Sequence, residues 1–126
     1  MANEDQVQIF TKGVKHWNEW RSKNPGVKVD LRGLSFYKED LRGVDLRDAD
    51  LRRVDFHESD MRKANLRGAD CWSADFRRVN FIGALLANTN LKSANLWNAD
   101  LRETDMTGAD IKDANLIGAN LSGIKQ

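Results

Sequence analysis

The sequence predicts an all-β solenoid preceded by an α-helix, and the main evidence is a five-residue repeat. The repeat runs from Val29 to Ile124 without an insertion or a deletion. Its central residue is apolar in every unit from Leu31 to Leu121. Two residues before the centre, almost every unit carries a small or apolar residue, so two inward residues flank one outward residue, as in a short strand. The other two residues of each unit must turn the chain.

The segment before the repeat is predicted to form one amphipathic helix of roughly Glu4 to Lys23. Apolar residues recur at helical spacing, namely Val7, Phe10, Val14 and Trp17. The opposite, polar face is assigned Lys12, Lys15, Asn18, Glu19, Ser22 and Lys23. Asn3 and Gln6 have the spacing of a capping box, and Asn24-Pro25-Gly26 is typical of a helix end. We expect this helix to cover the first turn of the solenoid; a helix lying on a membrane surface is the alternative.

The polar and glycine positions of the repeat are interpreted as structural. The residue before each centre is Asp or Asn except at Ser35 and Leu85. Such side chains accept hydrogen bonds from backbone N–H groups one or two residues on, which stabilises tight turns. Glycine often occupies the second turn position, where a positive φ suits a type II corner. Because Arg53, Lys63 and Arg78 share that position, we expect that not every corner needs a positive φ.

Units such as Ala49-Asp50-Leu51-Arg52-Arg53 and Ala94-Asn95-Leu96-Trp97-Asn98 resemble the signature of the pentapeptide-repeat family. The resemblance covers about three quarters of the chain. It implies a right-handed quadrilateral β-helix of about five coils, in which four units form one coil of twenty residues. The N-terminal helix is similar to the cap of small, often cyanobacterial, members. We therefore expect residues 1–26 to form a capping helix and linker, and residues 27–126 to form one β-helical unit.

A lag of twenty residues gives independent support for four sides. It aligns Phe36, Phe56 and Phe76 on one face, as expected for an aromatic ladder. A lag of fifteen would instead stack Phe36 on Leu51 and Leu66. The spacing of the phenylalanines therefore favours a four-sided coil.

Composition excludes several classes of function. Twenty Lys and Arg against nineteen Asp and Glu give a formal charge of +1, so no global field marks a nucleic-acid or membrane-surface protein. The single cysteine, Cys71, excludes an internal disulfide and occupies a centre, where it is expected to pack as a small hydrophobe. No long apolar run suggests secretion or membrane spanning. We expect a cytoplasmic protein without a membrane partner.

No enzyme is expected. The two histidines, His16 and His57, do not share metal-ligand spacing with Cys71, and no phosphate-binding loop or nucleophile motif occurs. A shaft filled with side chains also offers no concave pocket. We therefore expect no cofactor, no metal and no small-molecule substrate.

The outer wall provides two candidate interaction surfaces. The first is basic, lies mainly in the early coils and includes Arg32, Arg42, Arg52 and Arg62. It indicates an anionic partner, although corner aspartates beside these arginines cancel much of the field. The second is apolar and comprises Trp72, Ile82, Leu85 and Trp97, with Leu85 expected near Ile82 and Ala87 at one corner.

The leading functional hypothesis is a structural or protein-interaction module with an unidentified protein partner. One alternative follows from the resemblance, because some family members mimic DNA and bind DNA gyrase. Those members have an acidic surface and a C-terminal dimerisation helix, whereas this wall is rich in arginine. The other alternative is binding of nucleic acid or another polyanion through the early coils. Residues 122–126 are too few for a second capping helix, so a homodimer through the last coil is a further expectation.

Overall fold

A computed structural model describes all 126 residues and contains two short helices followed by stacked coils. Helix α1 spans Glu4–Phe10 and helix α2 spans Val14–Lys23. The prediction of one continuous helix is therefore wrong. Gly13 has a φ of 105°, a value that favours glycine, and its N–H bonds to the carbonyl of Phe10, so the chain turns between the helices. Neither helix is long and apolar enough to cross a membrane.

The predicted capping box is only half present. Asn3 Oδ1 accepts a hydrogen bond from the Gln6 N–H at 3.1 Å, as expected for an N-cap. The Gln6 side chain does not return to Asn3. Its Nε2 donates to the Lys28 carbonyl at 2.8 Å, and its Oε1 accepts from the Asp30 N–H at 2.7 Å. Gln6 thus joins α1 to the start of the repeat.

The repeat forms coils of twenty residues. Isolated parallel bridges join outward residues twenty positions apart, from Asp30 with Asp50 to Asp105 with Lys125. Between two stacked sides of successive coils, the Leu51 N–H donates to the Asp70 carbonyl at 2.8 Å, and the Asp70 N–H donates to the Ala49 carbonyl at 2.9 Å. Four units therefore complete one coil, which confirms the predicted four-sided spacing.

The shaft is a packed apolar core. Centre residues such as Leu51 and Leu66 are fully buried. Phe36, Phe56 and Phe76 stack with ring centroids 5.6 and 5.5 Å apart, so the predicted aromatic ladder is confirmed. Buried hydroxyls replace the small apolar residue at Ser59, Thr89 and Thr104, and each donates to a backbone carbonyl. No buried side-chain polar atom lacks a partner.

Every corner has a positive φ at its second turn residue, from Gly33 to Gly123. Arg53, Lys63 and Arg78 have φ values of 60°, 58° and 56°, so the expectation that such residues mark different corners is wrong. Positive φ only at this position, with a hydrogen bond from the fourth residue to the first, defines a type II turn. The coil imposes this geometry on any side chain because the ladder bonds on both sides fix the backbone.

The two ends of the shaft differ. At the first coil, helical side chains satisfy backbone groups that a preceding coil would otherwise satisfy. Trp17 Nε1 donates to the Asp45 carbonyl and Arg21 Nη2 to the Arg47 carbonyl, both at 2.7 Å. Asn18 was predicted to lie on the solvent-facing polar side of the helix, but its side-chain amide also forms hydrogen bonds with the first coil. At the last coil, no group occupies the corresponding positions.

Candidate interaction surfaces

The arginines of the predicted basic surface are neutralised by their own repeat units. Arg52 Nη2 lies 2.6 Å from Asp50 Oδ2, and Arg62 Nη2 lies 2.6 Å from Asp60 Oδ2. The same pairing of an arginine with the aspartate two residues earlier occurs at Arg32, Arg42, Arg47, Arg77 and Arg102. The turn places both side chains outward on one corner, so a fork-shaped guanidinium meets a carboxylate.

These pairs change the ionisation of the aspartates. The Arg42 side chain donates to the Asp40 carboxylate and lowers its pKa from 3.8 to about 2. The Arg62 side chain likewise lowers the pKa of Asp60, and the Arg102 side chain lowers that of Asp100. These carboxylates stay ionised well into acid, so the wall carries alternating fixed charges.

Trp72 and Trp97 lie on the wall in similar settings. The Arg53 guanidinium lies over the Trp72 ring, 4.9 Å from its centroid, and the Arg78 guanidinium lies over the Trp97 ring at the same distance. Trp72 is 36% exposed and Trp97 is half-buried. In both pairs the arginine is the second turn residue and the tryptophan is the first turn residue one coil later, on the same corner.

Arg53 and Arg78 were not among the predicted site residues. A spacing of nineteen residues between arginine and tryptophan occurs twice and is visible in the sequence. It becomes meaningful once the coil is known to contain twenty residues. Neither arginine forms an ion pair, and neither side chain takes part in a hydrogen bond.

Two shallow cavities accompany the arginine–tryptophan pairs. One, of about 420 Å³, brings Trp72 together with two of the predicted arginines and is lined by Met1, Arg32, Gly33, Arg52, Arg53 and Trp72. The other, of about 220 Å³, is lined by His57, Glu58, Arg77, Arg78 and Trp97. Arg42 and Arg62 belong to a different column of the wall and line neither cavity.

Ile82 and Leu85 do not join this region. Both are half-buried, and Leu85 pairs normally in the ladder between Asn65 and Asp105. Ile82 and Ala87 lie on the two corners at either end of the short side that carries Leu85, so the expectation of one shared corner is wrong. Since Leu85 has no side-chain oxygen, the Ala87 N–H lacks the bond that Asp or Asn provides in most other units.

One group of possible metal ligands occurs on the wall. The ligand atoms of Asp55, His57 and Asp75 lie within 4.8 Å of one another. All three are already engaged, because His57 Nδ1 lies 2.6 Å from Asp55 Oδ1 and Arg77 forms an ion pair with Asp75 at 2.6 Å. Cys71 is fully buried, and burial raises the pKa of its thiol.

The last coil exposes residues that are buried elsewhere in the shaft. Ile111 is 42% exposed and Leu121 is 39% exposed, although both occupy centre positions. A groove of about 320 Å³ runs between them and Met106, Leu116 and Ile124. The N–H groups of Ile111, Leu116 and Leu121 form no hydrogen bond. This end therefore combines an apolar surface with an unpaired strand edge.

Comparisons with solved structures agree on the fold. HetL, a pentapeptide repeat protein involved in heterocyst differentiation regulation from the cyanobacterium Nostoc sp. strain PCC 7120, aligns at a TM-score of 0.73 and 29% identity. The alignment covers 82% of this chain and 46% of HetL, so the chain spans about half the length of that relative. The pentapeptide repeat protein alr5209 from Nostoc PCC 7120 aligns at a TM-score of 0.59 and 24% identity, covering 89% and 93% of the two chains.

A more distant likeness concerns the gyrase alternative. QnrB1, a plasmid-mediated fluoroquinolone resistance protein, aligns at a TM-score of 0.41 and 24% identity over 79% of this chain and 65% of QnrB1. That likeness is too slight to carry an argument about function. No curated protein sequence matches the chain.

The sequence repeat itself matches a family model. Pentapeptide repeats, in 8 copies, match residues 27–62, 56–92 and 84–123. These ranges cover nearly all of the coiled region, and the fold implied by the family is a right-handed quadrilateral β-helix. The chain belongs to the pentapeptide-repeat family.

Proposed function

We propose that this chain is a non-catalytic structural or protein-interaction module whose partner contacts side chains on the coil faces. The observation that carries this proposal is the Trp72 ring, which is 36% exposed on a wall of charged residues. Tryptophan and arginine are enriched in protein interfaces because they supply large contact areas and several hydrogen-bond donors. The packed shaft leaves no deep pocket for a substrate, which supports a binding role.

The proposed contact residues comprise the apolar set Trp72, Ile82, Leu85 and Trp97 and the basic set Arg32, Arg42, Arg52 and Arg62. Within these sets, Trp72 and Trp97 are the stronger candidates. Trp72 is the one exposed residue of the apolar set, and Trp97, although half-buried like Ile82 and Leu85, presents a larger ring on a corner. The four arginines form ion pairs with aspartates of their own units. They are therefore expected to lie at the rim of an interface and to contribute little to its affinity.

This charge pairing weighs against the polyanion alternative. A polyanion gains affinity from rows of cations that release counterions, and here each paired arginine brings a carboxylate with it. The formal charge of +1 also differs from the acidic surface expected of a DNA mimic. The likeness to HetL, which takes part in regulation, supports an interaction role.

A homodimer through the last coil is a second candidate, favoured by one specific observation. Ile111 and Leu121 leave an apolar centre open and surround it with free N–H groups. The same edge also has free carbonyls at Ala109, Ala114 and Ala119, so a second copy of this end offers hydrogen-bond acceptors for these donors. Because the helices block the other end, such association would close as a pair and would not continue as a fibre.

The test is affinity capture from a lysate of the source cells with three versions of the chain. The wild-type chain is expected to retain a protein that Trp72→Ala loses. Lys112→Ala, which changes an exposed residue in the same column, is the matched control and is expected to retain the protein. Thermal unfolding of each variant establishes that the fold is kept. Retention of the same proteins by Trp72→Ala and by wild type would contradict a role for this surface.

A further inference from the structure

The two arginine–tryptophan corners flank one face of the coil. We call this face, which consists of the stacked sides at residues 54–56, 74–76 and 94–96, the second face. The corner of Arg53 and Trp72 precedes this face, and the corner of Arg78 and Trp97 follows it. Five residues separate equivalent corners, which spans at most about 18 Å when extended. A short extended peptide can therefore contact both corners.

The guanidinium groups of both corners have free hydrogen-bond donors. Each guanidinium carbon lies over an indole, 4.9 Å from the centroid, and the group donates to no side chain or carbonyl. The N–H edge of a guanidinium presents five donors in a fixed fork that matches a carboxylate. The seven arginines that follow an Asp by two residues have already used this edge within their own units.

The surroundings distinguish the two corners. The Arg53 corner lies in the larger cavity with Arg32 and Arg52, whose charges are balanced by Asp30 and Asp50, and no Asp or Glu lines this cavity. The smaller cavity at Arg78 also contains Glu58, which opposes a second negative charge. Both cavities have the size of one or a few side chains. The Arg53 corner is therefore the stronger acceptor of a carboxylate.

Resting on the proposed interaction function, we propose that the second face binds an extended acidic segment of a protein partner. Carboxylates of the segment bind the free edges of Arg53 and Arg78, and its apolar side chains pack beside Trp72 and Trp97. Between the corners the wall presents Asp55 and Asp75.

This middle region favours a peptide over a nucleic acid. A peptide can place acidic residues only at the corners and neutral residues opposite the aspartates. A nucleic acid carries a phosphate at every nucleotide and cannot avoid them. In addition, the guanidinium covers one face of each indole, so fewer aromatic faces are available for stacking bases.

The proposal is tested by fluorescence anisotropy with defined probes. The first probe is a fluorescein-labelled peptide of about ten residues, with two glutamates five residues apart, a leucine beside each glutamate and serine at the other positions. A second peptide has glutamine in place of glutamate, and a third probe is an oligothymidine of similar length. Wild type is expected to bind the glutamate peptide at least about tenfold more tightly than either other probe. Tighter binding of oligothymidine would overturn the proposal.

Three variants locate the site. Arg53→Gln is expected to weaken binding of the glutamate peptide about tenfold, and Arg78→Gln less. Arg67→Gln is the matched control, because Arg67 is exposed, forms no ion pair and lies on another corner, and it should leave binding unchanged. An equal loss in all three variants would show a general charge effect and would overturn the proposal.

A competition experiment separates this inference from the function on which it rests. The glutamate peptide is expected to displace the protein captured through Trp72. If a protein is captured through Trp72 and the peptide neither binds nor displaces it, the interaction function stands and the acidic segment is wrong. If Trp72→Ala loses no protein but the peptide binds at Arg53, the proposed function fails and this binding surface stands.

Discussion

Asn18 Oδ1 accepts a hydrogen bond from the Asp45 N–H at 2.9 Å, while Asn18 Nδ2 donates to the Gly43 carbonyl at 3.0 Å. One side-chain amide thus satisfies the Asp45 N–H, which a preceding coil would satisfy with its backbone, and also the carbonyl of the adjoining turn residue. Gln6 forms the same pair of bonds with Lys28 and Asp30 on the neighbouring side. The helices therefore close a strand edge by hydrogen bonds as well as by apolar packing.

Asn18→Ala is expected to lower the free energy of unfolding by about 1–3 kcal/mol, because it leaves two backbone groups without protein partners. Urea unfolding followed by circular dichroism measures the change. Glu19→Ala, an exposed neighbour on the same helix, is the control and should have little effect. Equal stability of the two variants would show that the amide does not contribute to closing the edge.

The corners predict a loss of stability when a side chain is added at a glycine and little change when one is removed. Gly43 has a φ of 69° and open space where a Cβ would lie, so Gly43→Ala isolates the backbone cost, about 1 kcal/mol of destabilisation. Lys63 already bears that cost at a φ of 58°. In Lys63→Gly, relief of strain and added freedom of the unfolded chain oppose each other, so the change should stay below about 1 kcal/mol. A large loss in Lys63→Gly would contradict this account.

The core predicts a severe effect at Leu66, which is fully buried at a centre. Leu66→Ala should cost about 2–5 kcal/mol through lost burial and a cavity, and Leu66→Asp should prevent folding because it places a charge in the shaft. The far-ultraviolet spectrum and melting temperature report both outcomes. Arg67→Ala, next in sequence but exposed, is the control. A melting temperature unchanged in Leu66→Asp would falsify the packed shaft.

The arginine pairs predict a loss of stability in acid. The pKa of Asp40 is lowered from 3.8 to about 2, and a lowered folded-state pKa means that the stabilisation is complete above the unfolded pKa. It is lost as the pH falls from about 4 to about 2. Melting temperatures measured across this range should decline. The decline should be smaller in Arg42→Gln, which removes the cause of the Asp40 shift, and an identical decline would contradict the assignment.

The open coil predicts concentration-dependent association. Leu121 is 39% exposed at a centre position, so Leu121→Asp should weaken self-association while leaving the inner coils folded. Size-exclusion chromatography with light scattering over a wide concentration range measures the mass. Ser122→Asp, on the outer wall of the same coil, is the control. A monomer mass for wild type at every concentration would rule out the dimer.

The fold was largely predictable because its determinants are periodic. Apolar centres such as Leu66 and the aromatic ladder at Phe36, Phe56 and Phe76 define the shaft and its coil length. The corners were predicted less well, since residue preference favours glycine at a positive φ whereas the ladder bonds hold even Arg53 in that geometry. The break at Gly13 was missed because the apolar spacing of Phe10 and Val14 continues across it.

The candidate surface was only partly predictable. Trp72 and Trp97 stand out from the repeat by residue type alone. Their association with Arg53 and Arg78 depends on which residues meet on one corner in consecutive coils, and this requires the coil length and the turn geometry. The sequence predicts that aspartates reduce the positive charge of Arg32 and Arg52. That each arginine forms a direct ion pair with Asp30 or Asp50 follows only from the distances in the structure.

Because each unit of five residues forms one quarter of a coil, deletion of a unit changes which outer side chains lie together. Removing one whole unit, for example residues 79–83, leaves inward residues inward but rotates everything that follows by a quarter turn about the long axis. Trp97 would then leave the corner of Arg78 and move to the corner that carries Trp72. The centre residues after the deletion would pack on different apolar residues of the coil before it. The number of units between two side chains thus determines whether they lie on the same face. Insertions or deletions in multiples of five can therefore change which outer side chains are neighbours, while the apolar pattern of the shaft is kept.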